Sequence, residues 1–223
     1  MLIRQLIATV ALTASLMEGA MDKGMPHLDV EGSVFLVNRQ NVIAREYVPE
    51  TVTVDVSGGG RILREDAARA LEEMFAAAKK EAKLTLVTVS GYRSYSKQST
   101  LYSNKIKATG SVAKAQEYVA PPGASEHQLG LAMDLGGKGS SSGLTSSFGK
   151  TKAGKWVKEN AHRFGFIIRY QQEWEDITGY KYEPWHVRYV GVEHATAMHE
   201  QGIPMETYVQ SLQANAILDI LEP

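Results

Sequence analysis

The chain has 223 residues, long enough for one domain with a substantial core, and its 43% hydrophobic and 22% charged residues are those of a soluble globular protein. Lys and Arg number 24 against 25 Asp and Glu, so nothing in the charge balance favours nucleic acid or an anionic membrane surface as the main partner. Cysteine is absent, which excludes disulfides, Cys-based zinc sites, a thiol nucleophile and a lipoprotein anchor.

Residues 1–20 read in two ways. Arg4 followed by the apolar run Leu6 to Met17 has the outline of an export signal too short to span a bilayer comfortably. Leu2, Leu6, Val10 and Ala14 equally fall at helical spacing, so an N-terminal amphipathic helix is the alternative. Residues 21–223 are expected to form a single domain, since no internal repeat or interdomain linker appears. No stable membrane span is expected.

Val34 to Val37 reads as a short buried strand ended by Asn38, and Val52, Val54 and Val56 alternate after Pro49. Gly58-Gly59-Gly60 lacks the Lys-Ser/Thr of a phosphate loop and is read as a plain turn. Glu65 to Lys83 is the clearest helix. Ala67, Leu71, Met74, Phe75 and Ala78 form one apolar stripe, with acids in the first turn and lysines in the last, as the helix dipole favours. Leu84 to Val89 follows as a strand and ends at Ser90-Gly91-Tyr92-Arg93-Ser94, where an arginine beside a glycine is placed to reach into a cleft. Gln98 to Lys107 is expected to be helical.

Next comes Ser125-Glu126-His127-Gln128-Leu129-Gly130-Leu131-Ala132-Met133-Asp134. Taken as a strand from Leu129 onward, it turns Leu129, Leu131, Met133 and Leu135 to one face and Gly130, Ala132 and Asp134 to the other. A nearly bare face bearing a carboxylate, with His127 just before it, leaves room for a divalent metal. Gly136 to Gly149 is rich in Gly and Ser and reads as a mobile loop. Trp156 to Arg163 is a helix stopped by Gly165, Phe166 to Tyr170 a strand, Glu173 to Tyr182 a polar connection, and His186 to Val190 a strand. Val192 to Gln201 and Met205 to Leu212 are helices, the second started by Pro204. His27, His162, His194 and His199 read as solvated residues.

A catalytic zinc takes three protein ligands and keeps one position open. His127, Asp134 and His186 would supply the three. Such a metal lowers the pKa of its water from about 15.7 toward about 7, and a nearby carboxylate takes the proton. Glu183, three residues before His186, is the natural base. Pro184 disfavours a helix there, so a turn entering a strand would aim both groups at one metal. A developing oxyanion needs a positive partner, which Arg93 would provide, although an arginine there also has a simpler use as a structural ion pair. A serine mechanism is rejected. Ser94-Tyr95-Ser96-Lys97 and Tyr102-Ser103-Asn104 match its first two motifs, but no Lys-Thr-Gly occurs.

Three segments together, Ser90 to Ser94, Ser125 to Asp134, and Glu183-Pro184-Trp185-His186 with Arg188 to Gly191, resemble the VanY-like D-alanyl-D-alanine carboxypeptidases. That zinc family also includes LD-carboxypeptidases and D-Ala-D-Ala dipeptidases, and the resemblance covers about residues 34 to 212. It implies an α+β domain, a small antiparallel sheet flanked by helices in the DD-peptidase/hedgehog-like zinc peptidase fold. It implies Zn2+ on His127, Asp134 and His186, Glu183 as base, and Arg93 gripping the transition state or substrate. Ser125 and Gln98 fall where family members contact the peptide. The implied reaction removes the terminal D-alanine from peptidoglycan stem peptides, so the cell envelope is the expected location. The alternatives are an LD-carboxypeptidase, a cell-wall endopeptidase of the same fold, and a non-catalytic peptidoglycan-binding module. A base at Glu183 argues against the last.

Overall fold

A computed structural model describes residues 29–137 and 144–221. Residues 1–20 and the stretch 138–143 of the expected Gly/Ser loop lie outside the described residues, as does His27. Two short strands, β1 (Val52–Thr53) and β2 (Ile62–Leu63), pair antiparallel and lead into helix α1 (Glu65–Ala82). There follow β3 (Leu86–Ser90), α2 (Tyr95–Thr109), α3 (Val112–Gln116) and a 3-10 turn (Glu126–Leu129). The remainder is β4 (Ala132–Gly137), α4 (Lys152–Asn160), β5 (Phe166–Tyr170), α5 (Glu175–Thr178), β6 (Glu183–Tyr189), α6 (Val192–Gln201) and α7 (Met205–Leu221). The main sheet is antiparallel throughout, in the order β3-β4-β6-β5. The expected α+β architecture is therefore present.

α1 forms as its pattern requires. Ala67, Leu71, Met74, Phe75 and Ala78 are buried, Glu65 and Asp66 sit in the first turn, and Lys79 and Lys80 in the last. This stripe packs with Leu131 just before β4 and with Met133, Leu135, Phe166, Ile168 and Val187 on β4, β5 and β6, into the principal core. A second cluster joins Ile167 of β5 to Ala195 and Met198 of α6 and to Met205, Tyr208 and Val209 of α7. With one face in each cluster, β5 is covered on both sides, and its sequence Phe-Ile-Ile-Arg-Tyr is accordingly not an alternating one.

The structure corrects several expectations. Val34 to Val37 is not a strand, although Val34 and Val37 are fully buried. Backbone carbonyls of Ser33 and Phe35 accept hydrogen bonds from the guanidinium of Arg188 (2.8 and 2.9 Å), so a side chain does the work of a ladder. The strand expected from Leu129 begins only at Ala132. His127 lies in the 3-10 turn, which ends at Gly130 in the left-handed region (φ 72°). The Leu131/Met133/Leu135 phase nonetheless holds. α7 runs to Leu221 rather than stopping at Leu212. His199 is exposed, as expected, and stacks on His162 at 3.8 Å, while His194 Nδ1 lies 2.8 Å from the Tyr208 hydroxyl, so His162 and His194 are half-buried rather than simply solvated.

Candidate active site

Sheet register assembles the site. On adjacent antiparallel strands, directly opposed residues share a face. Ser90 of β3 stands opposite Asp134 of β4, and Asp134 stands opposite His186 of β6. One row across three strands thus carries a carboxylate and an imidazole, on the side away from the principal core. The chain leaving β3 brings Gly91 and Arg93 to the same edge. His127 comes from the 3-10 turn, which is pinned on several sides. The Arg93 amide donates to the His127 carbonyl (3.1 Å), the Arg64 amide to the Gly130 carbonyl (2.9 Å), and the buried Gln128 amide to the carbonyls of Ala44 and Tyr47 (2.9 and 3.3 Å).

His127, Asp134 and His186 are all buried, and one ligand atom from each lies within 4.8 Å of the others. Asp134 Oδ1 is 3.4 Å from His127 Nε2 and 3.1 Å from His186 Nδ1. Each histidine has its other nitrogen engaged: His127 Nδ1 meets the Gly91 carbonyl at 2.7 Å, and His186 Nε2 meets Glu126 Oε2 at 3.0 Å. Buried His127 Nε2 has no hydrogen-bond partner among the described residues, as suits an atom meant for a metal. Two imidazoles and one carboxylate are a donor set suited to zinc, with room left for a fourth partner.

The charges agree. Burial, with Arg93 beside it, pushes His127 down to about 4, which keeps it neutral as a ligand must be. Burial alone would raise Asp134, but His127 and His186 hold it well below the usual carboxylate range. Burial would also lower His186, yet hydrogen bonds to Asp134 and Glu126 outweigh it and lift the imidazole to about 9. A carboxylate at each ring nitrogen calls for positive charge, and a dication between Nδ1 and Asp134 satisfies the same field in place of a proton.

Around this cluster runs a cleft lined by Arg93, Gln98, Ser125, Glu183 and Trp185, with Tyr170 and Tyr180. All seven residues singled out in the sequence therefore meet in one place. Glu183 opens β6, and burial raises its carboxyl to about 8, against the opposing pull of His186 and Arg93. An acid poised near neutrality is suited to accept and return a proton. Arg93 lies 3.5 Å from Asp134 Oδ2, so the ion-pair reading and the cleft reading are both realised. Gln98 is buried with both ends of its amide engaged: Oε1 accepts from Arg93 (3.0 Å) and Nε2 donates to the Ala120 carbonyl (2.7 Å). Ser94, the nucleophile of the rejected serine motif, caps α2 through the Lys97 amide, and Lys97 is exposed.

Sequence reasoning missed Glu126, Arg169 and Arg188. A signal was there. Each arginine interrupts an apolar strand, and arginine is seldom fully buried unless paired.

Residues 60–192 match the family model described as VanY, D-alanyl-D-alanine carboxypeptidase. A D-alanyl-D-alanine carboxypeptidase of Enterococcus faecalis (strain ATCC 700802 / V583) is 40% identical over 190 residues, 81% of this chain and 67% of that protein. The LdcB LD-carboxypeptidase structure has a TM-score of 0.76 at 44% identity and covers 81% of this chain and 87% of that one. The vancomycin resistance D,D-pentapeptidase VanY from a VanB-type cassette, a variant in complex with Zn(II), has a TM-score of 0.68 at 38% identity, covering 79% and 98%. With these likenesses and the His127, Asp134 and His186 cluster together, the chain belongs to the VanY family of D-alanyl-D-alanine carboxypeptidases, zinc-dependent peptidases.

Proposed function

We propose that His127, Asp134 and His186 hold the zinc, that Glu183 is the catalytic base, and that the substrate is a peptidoglycan stem peptide ending in D-alanine. The observation that carries this is the convergence of His127 Nε2, Asp134 Oδ1 and His186 Nδ1, with Glu183 and Arg93 on the rim of the same cleft. Zinc in such a site supplies Lewis acidity and makes a water reactive at neutral pH. Glu183 takes the proton from the attacking water and delivers it to the leaving amine of D-alanine. Arg93, held by Gln98, turns its positive charge to the oxyanion that forms at the scissile carbonyl. Gln98 and Ser125 lie where the peptide would pass, with Gln98 acting on it chiefly through Arg93. A stem peptide as substrate makes the cell envelope the proposed location; among the described residues no helix is long and apolar enough to cross a membrane.

A second reading, removal of D-alanine from a tetrapeptide, is favoured by the likeness to LdcB, an LD-carboxypeptidase. Mass spectrometry of zinc-loaded protein with mixed pentapeptide and tetrapeptide muropeptides separates the two. Loss of one alanine from the pentapeptide is the expected result. Loss from the tetrapeptide alone keeps the chemistry and makes the enzyme an LD-carboxypeptidase. Cleavage of cross-linked dimers only would make it an endopeptidase, and no cleavage at all would leave a binding module.

A further inference from the structure

Behind the metal cluster lies a buried charge network with no part in the chemistry above. Glu126, Arg169 and Arg188 are each at most 1% exposed. Glu126 Oε1 accepts from Arg169 Nε (2.7 Å) and Arg188 Nη1 (3.0 Å). Oε2 is left facing His186 Nε2 at 3.0 Å. Arg169 directs its other two nitrogens at Glu206, in the first turn of α7 (2.9 and 2.6 Å). Arg188 also donates to the carbonyls of Ser33 and Phe35. Two carboxylates thus balance two guanidiniums, and the network joins α7, β5, β6 and the segment before β1. Burying three of these four charges is a poor way to hold elements together, because apolar packing of equal volume does so as well or better. Its one contact with the cluster is the imidazole of His186.

We propose that Glu126, clamped by Arg169 and Arg188, is the positioning residue for His186. It accepts the Nε2–H and so fixes the tautomer whose Nδ1 lone pair points at Asp134 and His127. With both arginines on Oε1, Oε2 has a single partner and a single direction. The backbone does the same for His127 in mirror fashion. Its Nδ1–H donates to the Gly91 carbonyl (2.7 Å), leaving Nε2 for the metal. Without Glu126, a neutral His186 could carry its proton on Nδ1 instead, donate it to Asp134 3.1 Å away, and close the metal position. The inference rests on the reading that His186 is a zinc ligand.

Two measurements on the full chain test it. In Glu126→Gln, zinc affinity is read by competition with a chelator of known affinity and normalised to the folded fraction from circular dichroism. The expected loss is about 10- to 100-fold, the range for residues that orient a metal ligand. A purely structural role would lower thermal stability and leave the affinity of the folded molecules unchanged, so affinity within twofold of wild type overturns the proposal. The second measurement does not depend on the variant folding. Long-range 1H–15N spectra of zinc-loaded wild type should show His186 protonated at Nε2 and metal-bound at Nδ1, with His127 the reverse. A metal-bound Nε2 on His186 overturns the proposal. Wild type that binds no zinc at all would instead defeat the ligand assignment on which it rests.

Discussion

At the residue scale, the two carboxyls nearest the cluster are held in opposite states by their surroundings. Glu183 is raised to about 8 by burial, whereas Asp134, on the neighbouring strand, is held low by two histidines. One carboxyl can therefore carry a proton while the other stays an anion, a division that acid–base work at a metal needs. Glu183→Gln keeps shape and hydrogen-bonding capacity but cannot take a proton. We expect its kcat on the pentapeptide to fall by about 100- to 10,000-fold while stoichiometric zinc is retained. Unchanged turnover, measured by release of free D-alanine, would remove Glu183 from the mechanism. The site was largely legible in the sequence at this scale. His127, Asp134, Glu183 and His186 were identifiable as ligand and base types at suggestive spacings. Glu126 was not, because its partners Arg169 and Arg188 lie 43 and 62 residues away along the chain.

At the element scale, the decisive piece is the junction of the 3-10 turn with β4. Gly130 sits at φ 72°, and a Cβ there would meet Arg64 N, Arg64 Cγ and Pro49 Cγ at 3.3 Å. Left-handed backbone costs an L-residue about 1–2 kcal/mol. Gly130→Ala should therefore lower the Tm by about 2–8 °C, at about 2–4 °C per kcal/mol for a chain of this size. A thermal melt indistinguishable from wild type would mean that the turn relaxes freely. Here the period-2 reading went partly astray. Leu129 is fully buried, as a strand residue in phase would be, yet it reaches the core from a helical turn. Burial shows that a side chain points inward and leaves open which backbone carries it. The same limit explains Val34 to Val37, an apolar run with no strand beside it among the described residues to complete a ladder.

At the scale of the whole molecule, the proposed metal site joins the layers of the fold. Its proposed ligands come from the turn, from β4 and from β6, and its supports reach the segment before β1 and, through Glu206, α7. A ligand that binds only the folded form stabilises it by about 2.7 kcal/mol at 100 times its Kd. Zinc-saturated protein should accordingly melt about 5–10 °C above protein stripped by a chelator. Calorimetry with and without the chelator reads this directly, and identical melts would show that the cluster holds no metal. The cysteine-free composition, the amphipathic α1, the strand β5, the polar and charged types available for the site and the family resemblance all followed from the sequence by itself, because each depends on local pattern or residue chemistry. The register that sets Ser90, Asp134 and His186 in one row, the turn that aims His127, and the arginines that hold Glu126 were decided only by tertiary structure. Those are contacts between segments distant in sequence, and no local periodicity encodes which segments meet.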